Sequence, residues 1–254
     1  MKGRQGNRER GDGPRRDHHD WASETYVDEW VRRQQAEDSS RAERFQLICD
    51  LFPFSNDAAV TILDVGAGYG PVSMFILERY PHATCVVQDS SGPMLDRARH
   101  LAAKYGQRVK LHRSDLFEVS WLPRELGPFD AVVSSSCLHN LRDFARIREI
   151  YADIRAHLRP GGAFLNADLV NAPTVAVHQR YERVATTRRH REGAAAQDLA
   201  GMVQQGPRSP ATATRGPFPA TLDQHLTALR AAGFKDVDCF WKELRRVVFG
   251  GFAS

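Results

Sequence analysis

Three aspartates and a set of glycines have a spacing in this chain that could do chemistry. Thr61-Ile62-Leu63-Asp64-Val65-Gly66-Ala67-Gly68-Tyr69-Gly70 is an apolar, β-branched run that ends in a carboxylate and three glycines. Apolar residues resume at Val72 and Met74 to Leu77, so the order reads strand, tight turn, helix. In a doubly wound sheet, ligands bind at such crossovers, beyond the carboxyl ends of the strands. Glycine there lets the backbone turn sharply and lie against a ligand. A dinucleotide fingerprint, G-x-G-x-x-G, would need glycine at position 71, which is Pro71. Asp64 also sits poorly beside a pyrophosphate, whereas it suits the cationic amino-acid end of a ligand. A second acid, Asp89, closes the next apolar run, where a doubly wound fold places the carboxylate that binds a ribose. One ionised carboxylate can accept hydrogen bonds from both ribose hydroxyls.

S-adenosylmethionine (SAM) has such an end: an α-amino group, a sulfonium and no phosphate. Leu63 to Gly70 resembles motif I of the class I SAM-dependent methyltransferases. Asp89-Ser90-Ser91-Gly92-Pro93-Met94-Leu95 resembles that family's D-x-S-x-x-M-L helix opening. The resemblance covers about residues 56–254 in matching order. It implies SAM as cofactor and S-adenosylhomocysteine (SAH) as product. Gly66, Gly68 and Gly70 would then admit the backbone to the ligand, Asp64 would organise the methionine end, and Asp89, with Ser90 and Met94 after it, would hold the ribose side. Asp115, with Leu116 beside it, matches the position that meets the adenine amino group; a turn or helix N-cap is the other reading of Asp115. Trp121 either shields the adenine or fills a loop.

Pro128 to Ser136 reads as a strand that runs into Cys137-Leu138-His139-Asn140-Leu141 and resembles the family's motif IV with its Leu-His turn. Residues at this strand end, Ser134 among them, would face the transferable methyl group. No Asn-Pro-Pro-Tyr or Asp-Pro-Pro-Tyr occurs here, and Ser136 rather than proline precedes Cys137. The base-amino and cytosine-C5 methyltransferase patterns are therefore absent. Methyl transfer would be a displacement at the sulfonium methyl, promoted by alignment and exclusion of water. His139 has the pKa range of a general base; its alternative is a structural histidine under the cofactor pocket. Asp168 and Asn171, at the end of the next strand, are candidate substrate contacts by position.

The elements that would position these groups follow from periodicity. Trp21, Tyr26, Val27, Trp30 and Val31, then Ala42, Phe45, Ile48, Cys49 and Phe52, mark two helices over residues 21–55. In the resembling family such a pair caps the cofactor pocket, which makes Tyr26 and Trp30 substrate candidates. Residues 56–254 would form the SAM-binding domain, with a lid insertion at 173–219 that contributes His178 and Tyr181 as further substrate candidates. Arg180, Arg183, Arg188, Arg189 and Arg191 there suit an acidic substrate or RNA, or simply a solvated face. Residues 237–242 and 246–250 read as a closing hairpin. The resemblance implies an α/β, three-layer, Rossmann-like sheet of seven strands in the order 3-2-1-4-5-7-6, the last antiparallel.

Length and composition set the outer bounds. The chain has 254 residues, 42% of them hydrophobic, enough for one large α/β domain. No apolar run reaches the ~18 residues of a membrane span, and the N-terminus lacks an apolar signal core. Residues 1–20, rich in Gly, Arg, Asp and His, read as a disordered basic tail; His18-His19 alone does not make a metal site. Cys49, Cys85, Cys137 and Cys239 lie far apart and read as reduced thiols, so a cytoplasmic protein is expected. The net charge of +4 is small and spread out. A small-molecule acceptor is therefore the first expectation. RNA and a second copy of the chain stay as alternative partners, and a non-catalytic SAM-binding regulator is the rival from another functional class.

Overall fold

Seven strands pair into one sheet in the computed structural model, which describes residues 19–36, 38–191 and 218–254. The strands are β1 (Thr61–Val65), β2 (Thr84–Asp89), β3 (Val109–Arg113), β4 (Phe129–Ser135), β5 (Leu158–Leu169), β6 (Lys235–Glu243) and β7 (Arg246–Phe252). Their spatial order is β3-β2-β1-β4-β5-β7-β6. The first five are parallel, and β7 runs antiparallel to both β5 and β6. Parallel neighbours need crossovers, which the helices supply. These are α1 (Glu24–Ala36), α2 (Asp38–Asp50), α3 (Pro71–Arg79), α4 (Gly92–Ala102), α5 (Phe144–His157), α6 (Val175–Arg191) and α7 (Leu222–Ala231). The expected strand order and antiparallel last strand are both present.

Local chemistry starts the helices at the strand ends. Pro71 opens α3 after a left-handed Gly70, and the Ser91 Oγ caps α4 by accepting from Met94 N. Asp143 caps α5, accepting from Ala145 N at 2.9 Å and Arg146 N at 3.2 Å. Thr221 and Gln224 form a reciprocal capping box on α7. Each such cap contributes about 1 kcal/mol.

Alternation along the central strands divides the core in two. Ile62, Ala131 and Val133 face α2, α3 and α4, whereas Leu63, Val65 and Val132 face α5 and α7. Trp121 belongs to the second layer: it is fully buried and its Nε1 donates to Asp153 Oδ2 at 2.8 Å. It fills the core and does not screen the cleft. The Leu158-Arg159-Pro160-Gly161-Gly162 phrase differs from a plain turn. Leu158 already pairs with Phe129, so β5 begins before the glycines, with an irregular register across Phe129 and Ala131. Gly162 is needed there, since a Cβ would sit 2.8 Å from the Asp130 carbonyl oxygen.

The expected tail, but for its last residues, and most of the expected lid insertion lie outside the described residues. Among those described, no helix is long and apolar enough to cross a membrane.

Candidate active site

The loop from β1 into α3 is bent by backbone conformation. Gly66, Gly68 and Gly70 have φ of 59°, 58° and 81°, a left-handed region that costs other residues strain. Two side chains of β2 then hold the loop. Gly66 N donates to Gln88 Oε1 at 2.9 Å, and Gly68 N donates to Asp89 Oδ2 at 2.8 Å. At Gly66 an added Cβ would lie 1.9 Å from Cys137 Sγ, so this glycine clears the way for the β4 loop rather than for a ligand. Behind the loop, Asp64 accepts from Ser73 Oγ at 2.7 Å through Oδ2, while its buried Oδ1 has no partner. Burial, aided by the charge of Asp89, pushes the Asp64 carboxyl up to about 7.

The strand ends and α1 enclose a cleft of about 1160 Å³. Asp64, Gly66, Gly68, Asp89, Ser90, Met94, Asp115 and Leu116 all line it. Asp89 accepts once on each oxygen, from Gly68 N and from Ser91 N at 2.8 Å, and each oxygen keeps a lone pair for a ligand. Burial raises its carboxyl pKa against those two bonds. Asp115 takes the turn role, its Oδ1 accepting from Phe117 N at 2.9 Å, and it also lines the cleft. The cap closes over this end, with Ser91 Oγ donating to the Trp21 carbonyl at 2.5 Å, and Val27 packing on Tyr69 and Met94.

Six residues expected at the site lie elsewhere. Gly70 does not line the cleft; it is the left-handed N-cap of α3. Ser134 is buried and donates from Oγ to the Val65 carbonyl at 2.9 Å, because the two-residue period of β4 presents Ser135, not Ser134, to the cleft. Tyr26 turns its hydroxyl to His19 and its ring to Trp21, leaving Trp30 as the cap aromatic of the pair that does line the cleft. His178 and Tyr181 dock α6 on the β6–β7 hairpin, through Arg245 and through Lys242 Nζ at 2.9 Å. Of the α6 arginines, Arg188 is likewise paired, with Glu243.

His139 is the sixth, and it stands between the cleft and the far side of β5. Its neighbours Cys137 and Asn140 line the cleft, whereas His139 is buried against Asp168 and meets the Phe218 ring at 5.5 Å. Nδ1 lies 2.5 Å from Asp168 Oδ1, and the His139 backbone N–H donates to Oδ2 at 3.2 Å. Burial alone would raise the Asp168 carboxyl, but the charge and hydrogen bond of His139 outweigh it and hold it low. An ionised carboxylate only accepts, so Nδ1 is the donor of this pair. Cys137 is no nucleophile at neutral pH, since burial and the charges of Asp89, Asp168 and Asp64 push its thiol well above the usual value.

Sequence reasoning missed Gln88, Trp21 and Arg41, which also line the cleft. Gln88 spans two loops, accepting from Gly66 and donating from Nε2 to the Ser114 carbonyl at 2.8 Å. An amide inside the apolar run Cys85-Val86-Val87 was its available signal. Arg41 had none, because it lies on a helix remote from every motif.

The strand order, the glycine loop and the acid at the end of β2 together define the cofactor-binding domain of the class I SAM-dependent methyltransferases. Residues 62–162 match a family model described as a methyltransferase domain. Trans-aconitate 2-methyltransferase of Azoarcus sp. (strain BH72) is 33% identical over 106 residues, 42% of this chain and 38% of that protein. Demethylmenaquinone methyltransferase of Thermus thermophilus is 30% identical over 138 residues, 49% of this chain and 60% of that protein. The chain thus spans less than two thirds of the curated relatives it matches. An O-methyltransferase family protein from Burkholderia thailandensis superposes with a TM-score of 0.57 at 20% identity, over 92% of this chain and 63% of that one. That likeness concerns the fold. SAM is the cofactor of the class, and the residues present fit it. Asp89 keeps free lone pairs for the ribose, and the orphaned Asp64 Oδ1 awaits a donor such as an ammonium.

Proposed function

We propose that this protein transfers the methyl group of SAM to an oxygen, nitrogen, carbon or sulfur atom of a small-molecule acceptor. The observation that carries this reading is the cleft itself, ringed by Asp64, Asp89 and Asp115. At about 1160 Å³ it exceeds the roughly 300–1,000 Å³ of a single small-molecule site, leaving room for an acceptor beside the cofactor. SAM, when bound, supplies an electrophilic methyl on a sulfonium. The chain's own residues orient and shelter it: Asp89 takes the ribose hydroxyls, Asp115 and Leu116 border the adenine, and Trp21 and Trp30 exclude water. His139, held by Asp168 just behind the Cys137 and Asn140 rim of the cleft, would be the base where the acceptor must lose a proton. The names of the relatives, which include a trans-aconitate and a demethylmenaquinone methyltransferase, support small acceptors. The four free cysteines support a reducing, cytoplasmic setting.

Thermal unfolding with SAM, SAH and NAD, followed by SAH titration of Asp89→Ala, tests the reading. SAM and SAH should stabilise the wild type and NAD should not. Asp89→Ala should weaken SAH at least tenfold, since two charge-assisted hydrogen bonds of roughly 1.5–3 kcal/mol each are lost. Unchanged affinity would remove the ribose assignment. Tight SAM binding without turnover on any small acceptor would favour a regulator instead.

A further inference from the structure

Residues 114–123, which follow β3, form no helix or strand, yet Ser114 to Glu118 line the cleft. The shape of such a loop depends on side chains that reach it from elsewhere. Gln88 of β2 holds its start through the Ser114 carbonyl. Arg146 of α5 holds the next part: Nε donates to the Leu116 carbonyl at 2.6 Å, and Nη2 to the Glu118 carbonyl at 2.9 Å. Nη1 pairs with Glu149 at 2.7 Å, so all three nitrogens are engaged, and the side chain is 10% exposed. Carbonyls outside a helix or ladder still need donors. A guanidinium supplies charge-assisted ones in a fixed plane, which a lysine ammonium does not.

Arg146 stands in the first turn of α5. The N-cap of that helix, Asp143, accepts from the Arg146 backbone N–H and itself lines the cleft. One residue thus ties the cleft wall after β3 to the wall after β4. Arg146 does not line the cleft, so it reaches a ligand only through the loop it holds.

We infer that Arg146 is a positioning residue for the cofactor's adenine: it fixes Leu116 to Glu118 from behind, so that the loop meets the base already formed. The inference rests on the SAM reading above and adds the residue that shapes the edge on which the base is read. A loop that is competent only part of the time binds with an affinity reduced by that fraction. The ribose side of the cleft, at Asp89, is built from other bonds and does not depend on this strut.

The test is isothermal titration of wild type, Arg146→Met and Arg146→Lys with SAH and with S-inosylhomocysteine, which carries a carbonyl in place of the adenine amino group. The wild type should prefer SAH at least tenfold. Arg146→Met should weaken SAH tenfold or more and lower the ratio of the two affinities at least threefold. Arg146→Lys, a cation without the planar fork, should recover part of both. An unchanged ratio in Arg146→Met would overturn the inference, whether both ligands keep their affinity or both weaken equally, because the effect would not lie at the base. A wild type that does not separate the two ligands would overturn it as well, since the loop would then not read the base. If Arg146→Met does not fold, Arg146→Gln, which keeps a donor for one carbonyl, takes its place in the same comparison. A wild type that binds neither ligand would remove the SAM reading itself, a different failure.

Discussion

Asp64 shows how a single carboxylate can set the pH response of ligand binding. Its Oδ2 is satisfied by Ser73, its Oδ1 is not, and burial holds the carboxyl up at about 7. A folded-state value above the unfolded one means that its contribution to stability is present below the ordinary carboxylate range and is lost as pH rises through about 7. A ligand ammonium reverses the preference, because it favours the ionised acid. SAH binding should therefore release a proton and weaken by up to about tenfold per pH unit below 7, with a plateau above. Calorimetry in two buffers of different ionisation enthalpy reads that proton directly, and Asp64→Asn should abolish both the release and the slope. A pH-independent affinity in the wild type would mean that Asp64 does not meet the ammonium.

Neighbouring strands bring His139 and Asp168 together. β4 and β5 are parallel and adjacent, so the turn after one reaches the end of the other. That turn, Leu138–Leu141, is bounded by Ser136 and Arg142, both left-handed at φ of 55° and 56°. Non-glycine residues hold such angles only where the surroundings impose them. The Asp168 bond to the His139 backbone N–H is part of that imposition. If His139 is a base, His139→Gln should lower kcat by 10²-fold or more, the typical range for acid–base catalysis. SAH affinity and Tm should stay near wild type. A variant with full kcat, or one that loses only stability, would return His139 to a structural role.

The packing of the whole molecule leaves a second histidine to govern its acid sensitivity. His225, on α7, is buried against α5 and β7, and its Nδ1 is hydrogen-bonded to the Tyr151 hydroxyl at 2.7 Å. Burial lowers its pKa to about 4, against the pull of Asp168. The unfolded chain binds this proton below about 6.5 while the fold refuses it, so the stabilisation is present above 6.5 and lost as pH falls toward 4. The shift from 6.5 to about 4 corresponds to roughly 3 kcal/mol. Asp64 titrates with the opposite sign over an overlapping window, so the difference between wild type and His225→Gln is the informative quantity. Glutamine keeps a hydrogen-bonding partner for Tyr151 and does not titrate. The variant should lose less stability than wild type between pH 7 and 5 in urea unfolding; parallel curves would show that His225 is not the acid-sensitive group.

Much of this was written along the chain, because it depends on neighbours in sequence. Asp64, the glycine spacing and Asp89 nineteen positions beyond Gly70 lie where a β-α-β crossover puts them, and apolar runs marked the parallel strands at the centre of the sheet. Ser134 was misplaced because a strand's facing alternates with every residue, and only the pairing of β4 with β1 and β5 set which serine meets the cleft. His178 and Tyr181 were misplaced because helical periodicity gives α6 a face and not the hairpin it packs on. Gly66 was recognised as necessary for the wrong reason, since the atom it makes room for is Cys137 Sγ, 71 positions away. Arg41 could not be read as a site residue at all. A surface arginine and a buried unpaired one are the same letter, and burial, which turns that charge into a demand for an anion, exists only once α2 lies against the glycine loop.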